Sequence, residues 1–190
     1  MSDTLLMSAA ALEKTLDELA EKLLQTLTTP HTAALMGVRT GGVYVAQRLK
    51  RRMEQRLGQP LLFGVLDITL YRDDLFSGLE KPQVGPTDVR FDIEGREIVI
   101  VDDVLFTGRT VRAALNELMD LGRPRRILLA VLLDRGHREL PIAADVVGLQ
   151  VDTPRSARVL VQLQEDPRYR QDQVLLRHPD VSGLTSPSTR

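Results

Sequence analysis

The chain has 190 residues, of which 43% are hydrophobic and 27% charged, so we expect one globular domain that buries a core of its own. It has no cysteine and a net charge of −1, which excludes a disulfide framework or a thiolate metal site and gives no support to general nucleic-acid binding. No run approaches the roughly 20 apolar residues that span a bilayer, and the start at Met1 lacks the basic flank of a signal peptide, so we expect a cytoplasmic protein without a membrane segment.

The first part of the chain predicts helices and strands in alternation. Leucines at three- and four-residue steps predict an amphipathic helix over residues 8–27. The apolar run 33–38 predicts a buried strand, and the loop 39–42 leads from it into a second helix that Gly58 ends. Residues 61–68 are the next predicted strand.

The second part continues this alternation after a long irregular segment. Residues 69–92 show little periodicity, and a segment that long without structure is typical of a functional lid or of disorder. The β-branched run 97–101 predicts a strand that ends in two aspartates, and a helix with Gly122 at its C-cap follows. Three further strands are predicted at 127–133, 144–148 and 158–163, and residues 181–190 are predicted to be a disordered tail.

Strands that alternate with helices predict an α/β fold with a mostly parallel central sheet flanked by helices. Ligands bind such sheets at the carboxyl ends of the strands. Three predicted loops, 39–42, 69–92 and 102–110, follow strands and therefore lie at that edge. We expect the functional residues in these loops.

The loop 102–110 combines groups that can hold a phosphorylated sugar. Asp102 and Asp103 follow an apolar strand and can accept hydrogen bonds from sugar hydroxyls, while Thr107, Gly108 and Thr110 stand at a helix start. The free N–H groups of a helix N-terminus suit a phosphate, and glycine lets the backbone approach an anion closely. An isolated Asp-Asp pair is more often a plain turn and Thr-Gly a helix cap, but the whole array favours the phosphosugar interpretation.

Three segments resemble known families. Residues 99–110, Val-Ile-Val-Asp-Asp-Val-Leu-Phe-Thr-Gly-Arg-Thr, resemble the motif by which type I phosphoribosyltransferases bind 5-phosphoribosyl-1-diphosphate (PRPP). Residues 67–75, Asp-Ile-Thr-Leu-Tyr-Arg-Asp-Asp-Leu, and 133–142, Leu-Asp-Arg-Gly-His-Arg-Glu-Leu-Pro-Ile, resemble the PyrR family of pyrimidine operon attenuators that are also uracil phosphoribosyltransferases. The resemblance covers about residues 33–164. It implies the type I phosphoribosyltransferase fold, a single domain over residues 1–180 with a small hood from later segments and the N-terminal helix.

The resemblance also implies a reaction, in which uracil and PRPP give UMP and diphosphate with Mg²⁺ as cofactor. It assigns the ribose hydroxyls to Asp102 and Asp103. The 5′-phosphate and the turn before it are assigned to Val104, Leu105, Phe106, Thr107, Gly108, Arg109 and Thr110. Thr40 and Gly41 are implied to contact the diphosphate leaving group through backbone N–H groups.

The resemblance implies further roles outside these two loops. Arg72 would act on the diphosphate from a mobile lid, and Asp73 and Asp74 beside it would lie near the metal, with indirect contact. Arg135 and the backbone near Val159 would lie at the uracil. Relatives usually have Thr-Arg-Gly where this chain has Thr-Gly-Gly at residues 40–42, so we expect backbone contacts to remain and the affinity for the leaving group to be weaker.

Three functions remain open from the sequence. The first is a uracil phosphoribosyltransferase, and the second is a nucleotide-sensing RNA-binding attenuator with weak catalysis, whose ligand would be UMP. The third, a transferase for another base, is disfavoured by residues 67–75. Acidic residues in the first helix oppose RNA binding, and the basic run Arg48, Lys50, Arg51, Arg52 and Arg56 is more often a solvated helix face than an RNA surface. The resemblance implies a homodimer or a higher homo-oligomer.

Overall fold

A computed structural model describes residues 3–68 and 87–179. Within these residues the elements, in chain order, are β1 (Asp3–Met7), α1 (Ala9–Thr26), β2 (Ala34–Val38), α2 (Gly41–Leu57), β3 (Leu62–Leu66), β4 (Glu97–Leu105), α3 (Arg109–Leu121), β5 (Arg126–Asp134), β6 (Val146–Gln150), β7 (Arg158–Gln162) and β8 (Gln173–Arg177). The predicted alternation of strands and helices is confirmed. The strands β1 and β8 were not predicted, and the predicted tail lies outside the described residues.

The central sheet has five parallel strands in the order β3-β2-β4-β5-β6. Alternate residues of a strand point to opposite faces of the sheet, and the side chains of β4 are distributed over the two faces in this way. Val99 and Val101 pack with α1 and α2 on one face, whereas Ile98 and Ile100 pack with α3 on the other. The predicted α/β fold, with a parallel sheet between helices, is therefore confirmed.

A second, antiparallel sheet has the order β1-β8-β7 and stands beside the central one. Its β7 residues Val159 and Val161 pack against the core that α1 and α2 share with the central sheet. We call this sheet, together with the β7–β8 loop at residues 163–172, the hood. Its first strand comes from the very start of the chain, where Asp3 pairs with Arg177 both in strand register and as an ion pair.

Local signals account for two of the helix ends in the described residues. Ser8 caps α1, since its side chain accepts a hydrogen bond from the Ala11 N–H at 3.3 Å. Gly58 ends α2 with a left-handed φ of 69°, a conformation that favours glycine. The start of α2 differs from the prediction: Gly41 and Gly42 belong to its first turn and not to a loop. Across the described ranges, no helix has the length and apolar character needed to cross a membrane.

Candidate active site

The site is built at the carboxyl end of β4. This strand is longer than predicted and pairs with β5 as far as Leu105, so both aspartates lie within the strand and not after it. Asp102 is buried and Asp103 half-buried. Asp102 accepts a hydrogen bond from the Asp103 N–H at 3.0 Å, and Asp103 accepts one from the Val104 N–H at 2.9 Å. Burial raises the pKa of the Asp103 carboxyl above its usual value.

A sharp turn then leads into α3. Gly108 precedes the helix with a φ of 92°, in the left-handed region that favours glycine. The Thr107 carbonyl accepts hydrogen bonds from the N–H groups of Glu139 and Leu140, and the Thr107 hydroxyl accepts one from the Arg109 N–H at 3.4 Å. The turn is thus held from the segment after β5, and it leads into a helix N-terminus, where the first N–H groups have no partner within the helix and suit an anion.

The start of α2 lies directly against the aspartates. A Cβ atom placed on Gly41 would lie 2.1 Å from Asp103 Oδ2, and one on Gly42 would lie 2.5 Å from the Val101 carbonyl oxygen. The peptide bond between Arg39 and Thr40 is cis. The first turn of α2 and the end of β4, about sixty residues apart in sequence, therefore meet at two glycines that place no side chain between them.

A cavity of about 160 Å³ opens beside this contact. The central-sheet side contributes Gly41, Tyr44 and Asp103, and the hood contributes Val159, Leu160, Val161, Leu163, Asp166, Arg168 and Tyr169. Of the residues predicted for the site, Gly41, Asp103 and Val159 are therefore brought together. Tyr44, Asp166, Arg168 and Tyr169 were not predicted. Tyr44 lies one helical turn after Gly41, so this spacing could have predicted it from the sequence. No pattern in the sequence marks the other three.

Arg135 does not line this cavity. It is buried, and its guanidinium donates hydrogen bonds to the carbonyls of Pro154 at 2.7 Å and Ala157 at 2.8 Å. It also lies over the Phe106 ring, 4.3 Å from the ring centroid. Arg135 thus ties the turn after β4 to the segment that enters β7, and its contact with uracil stays a prediction.

Arg109 is also turned to a protein partner. Its Nε donates to Glu139 at 2.8 Å, and Arg155 pairs with the same carboxylate. The hydrogen bond from Arg109 holds the pKa of Glu139 below its usual value. Arg109 is the first residue of α3, and its contact with the phosphate stays a prediction.

The predicted residues Arg72, Asp73 and Asp74 lie outside the described residues. Within the residues that are described, no three or more His, Cys, Asp or Glu side chains are grouped to hold a metal ion. Arg39, which precedes the predicted diphosphate contacts at Thr40 and Gly41, pairs with Asp67 at 3.6 Å, just after β3.

The interpretation of the basic run on α2 as a solvated face was wrong for Arg48 and Arg52, whereas the side chain of Arg51 is 63% exposed. The side chain of Arg48 is only 7% exposed and pairs with Glu13, Glu165 and Asp172. Arg52 pairs with Glu13 and Asp17 on α1. A helix face that packs against neighbouring acidic segments buries its arginines in ion pairs, so these residues join α1, α2 and the hood.

Comparison with known proteins agrees with this arrangement. Residues 5–166 match the family described as phosphoribosyl transferase domain. In solved structures, the hypoxanthine phosphoribosyl transferase of Trypanosoma cruzi superposes with a TM-score of 0.72 at 20% identity, over 94% of this chain and 93% of that one. A hypoxanthine-guanine phosphoribosyltransferase of Bacillus anthracis gives a TM-score of 0.69 at 18% identity, over 92% and 97% of the two chains. At these identities the likeness shows the fold alone.

Curated relatives are much closer in sequence. The bifunctional protein PyrR of Thermus thermophilus is 51% identical over 160 residues, which are 84% of this chain and 88% of that protein. The bifunctional protein PyrR of Elusimicrobium minutum is 47% identical over 163 residues, 86% of this chain and 91% of the relative. The fold and the family match define the chain as a phosphoribosyltransferase. Within that class, it belongs to the PyrR family.

Proposed function

We propose that this chain transfers the 5-phosphoribosyl group of PRPP to uracil and releases UMP and diphosphate. The observation that supports this most directly is the convergence of three elements at one edge of the sheet: the Asp102–Asp103 pair, the Gly108 turn into α3 and the Gly41 start of α2. PRPP has three parts that need separate partners, and each of these elements suits one of them.

The 5′-phosphate would bind at the start of α3. There the N–H groups have no partner inside the helix and the helix dipole favours an anion. The Thr107 and Thr110 hydroxyls add donors, and the left-handed Gly108 permits a close approach of the backbone. Asp102 and Asp103 would accept hydrogen bonds from the ribose 2′- and 3′-hydroxyls.

The leaving group would lie between Asp103 and the α2 start. The C1′–O bond breaks with its electron pair moving to the diphosphate, while uracil N1 bonds to C1′ and its proton passes to the released diphosphate or to water. N–H groups at Thr40 and Gly41 would hold the departing oxygens, and Arg72 would close over them. Adjacent carboxylates such as Asp102 and Asp103 suit Mg²⁺ that is bound mainly by substrate oxygens and water. When bound, the ion would stabilise the charge that develops on the diphosphate.

Uracil would bind below the hood. Val159 on β7 lines the cavity next to Asp103, so a base attached at C1′ would reach the backbone of this strand. Arg135 fixes the segment 154–157 that precedes the strand. We propose that Arg135 shapes the base site through this segment.

The direct test is to mix the protein with uracil, PRPP and Mg²⁺ and to measure UMP. Hypoxanthine, adenine and orotate serve as competing bases, and Asp102→Asn is the inactive control. UMP formation that requires uracil and falls in the variant supports the proposal. A folded protein that forms no UMP, or that prefers another base, would refute it.

A second function is favoured by the relatives, which carry the name bifunctional protein PyrR. We propose that the chain also acts as a UMP-responsive regulator of pyrimidine genes. The basic run of α2 does not support this role, because Arg48 and Arg52 are paired with acidic residues. A gel-shift assay with the leader RNA of the cognate pyrimidine operon, with and without UMP, tests it. Binding that UMP does not change would contradict it. The homodimer or larger homo-oligomer and the cytoplasmic location stay predictions.

A further inference from the structure

We propose that Arg168 binds the diphosphate of PRPP in the cavity that it lines together with Gly41, a residue without a side chain. The inference rests on the proposed function, because it assigns a residue to the leaving-group end of the same site. It concerns a hood residue outside the three motifs that mark this chain as a phosphoribosyltransferase.

The position of Arg168 is the first argument. Gly41 and Asp103 form one wall of the 160 Å³ cavity, and Arg168 belongs to the opposite wall with Asp166 and Tyr169. Asp103 is the proposed partner of a ribose hydroxyl, so the group on C1′ extends from there past Gly41. Among the described residues that line the cavity, Arg168 is the only one with a positive charge.

The way Arg168 is held is the second argument. Its Nε and Nη2 donate to the buried carboxylate of Asp166, with the shortest contact 2.6 Å, and its backbone N–H donates to the same group at 3.0 Å. The guanidinium also lies over the Tyr169 ring, 5.4 Å from the centroid. An arginine has five N–H donors. In the described part of the chain Nη1 has no partner, and the side chain remains 64% exposed. Asp166 therefore holds one side of the planar guanidinium, and the other side is open to a phosphate.

The β7–β8 loop that carries Arg168 is itself fixed. Asp172 accepts a hydrogen bond from the Gln164 N–H at 2.8 Å, and both Asp172 and Glu165 pair with the buried Arg48 of α2. The Tyr169 N–H donates to the Asp166 carbonyl at 2.9 Å. Arg168 is therefore held at a defined distance from the start of α2, the element that carries Gly41. A preorganised cation of this kind costs little reorganisation when the anion arrives.

Arg39 does not offer the same solution. It precedes Gly41 by only two residues, but its guanidinium faces Asp67 just after β3. Its charge is thereby directed to a neighbouring carboxylate on the central sheet. Arg168, in the hood, is better placed to bind a diphosphate in the cavity beside Gly41.

The test compares Arg168→Gln and Arg168→Lys with the control Arg170→Gln. Arg170 is exposed on the same loop and does not line the cavity. Calorimetry measures the Kd for magnesium diphosphate and, separately, for UMP, and steady-state assays give the KM for PRPP. We expect Arg168→Gln to raise the diphosphate Kd and the PRPP KM about tenfold, which corresponds to about 1.4 kcal/mol. We expect the Lys variant to recover part of the loss and the Arg170 control to match the wild type.

The affinity for UMP separates a leaving-group role from a structural one. UMP contains the ribose, the 5′-phosphate and the base but no diphosphate, so in Arg168→Gln its Kd should change much less than the Kd for diphosphate, even though Val159 at the proposed base site lines the same cavity. Equal losses for UMP and diphosphate would show that the variant damages the hood, and would overturn the proposal. So would a diphosphate Kd equal to that of the Arg170 control, or no diphosphate binding by the wild type. Because these binding measurements need no turnover, failure to make UMP from uracil would refute the proposed function separately.

Discussion

Replacing Arg48 with Met should destabilise the protein strongly, although the residue lies on a helix whose sequence is rich in arginine. Arg48 donates to Glu165, Asp172 and Glu13 and is the common partner of all three carboxylates. Although burial disfavours its charge, the hydrogen bonds to Glu165 and Asp172 raise its pKa above the usual value. Methionine keeps much of the apolar stem of the side chain, so the substitution removes the charge and the hydrogen bonds.

The size of the effect follows from which partners remain buried. Removal of one member of a buried ion pair costs about 3–5 kcal/mol, because the other charge loses its compensation. Of the three partners only Asp172 is largely buried, with 11% of its side chain exposed, whereas Glu165 is 27% and Glu13 is 51% exposed. We therefore expect the lower end, about 3 kcal/mol. For a chain of this size that corresponds to a decrease in Tm of roughly 6–12 °C.

The assay is urea unfolding, with Arg51→Met as the matched control. Arg51 is 63% exposed and makes a single 3.2 Å pair with Glu165, so its loss should change the free energy of unfolding by less than about 0.5 kcal/mol. A loss below about 1 kcal/mol for Arg48→Met, or equal losses for the two variants, would refute the reasoning.

The same cluster predicts an acid-dependent loss of stability. Burial alone would raise the pKa of Glu165 and Asp172, but the hydrogen bonds from Arg48 lower both overall from the ordinary values of 4.5 and 3.8. A lowered pKa in the folded state adds stability at pH values above the ordinary pKa, and this part is lost as the pH falls through the folded value. We expect the difference in unfolding free energy between wild type and Arg48→Met to shrink below about pH 4.5. A difference that stays constant down to pH 3 would contradict this assignment.

Three further predictions concern the site and its support. Asp103→Asn should lower kcat/KM for PRPP by roughly 10–100-fold. It should nevertheless raise the unfolding free energy at neutral pH in denaturant unfolding, because burial raises the pKa of the Asp103 carboxyl. This gain should disappear as the pH falls toward 3.8, and a destabilised variant at pH 7 would contradict the prediction. Gly108→Ala should lower the unfolding free energy by about 1–2 kcal/mol, because alanine is strained at the left-handed φ of this position. Calorimetry should show weaker binding of both PRPP and UMP, whereas Arg168→Gln should weaken mainly the binding of PRPP. Glu97→Gln should lower the unfolding free energy in urea by about 2 kcal/mol, because the fully buried carboxylate accepts hydrogen bonds from the N–H and the hydroxyl of Thr29. A loss under about 0.5 kcal/mol would show that the charge of Glu97 is unimportant for stability.

Contiguous residues determined the central part of the site. The apolar strand, the aspartates and the Thr-Gly turn into α3 follow one another directly, so the local pattern predicted them as a unit. Gly58 likewise predicted the end of α2, because the left-handed conformation there needs glycine. The strand nevertheless extends to Leu105, since β5 supplies partners beyond the apolar run and backbone pairing continues past the aspartates.

Contacts between distant segments required the tertiary structure. β1 pairs with β8 from the opposite end of the chain, and neither short strand has a local pattern strong enough to predict it. The Arg48 cluster joins residues from α1, α2 and the hood, so the sequence showed only a basic run and not its burial. The glycine at position 41 was visible in the sequence as a missing side chain. That Asp103 lies directly against it, and that Arg168 lies across the cavity, follows only from the chain packing, because the three residues belong to separate elements whose distance depends on how the hood meets the central sheet.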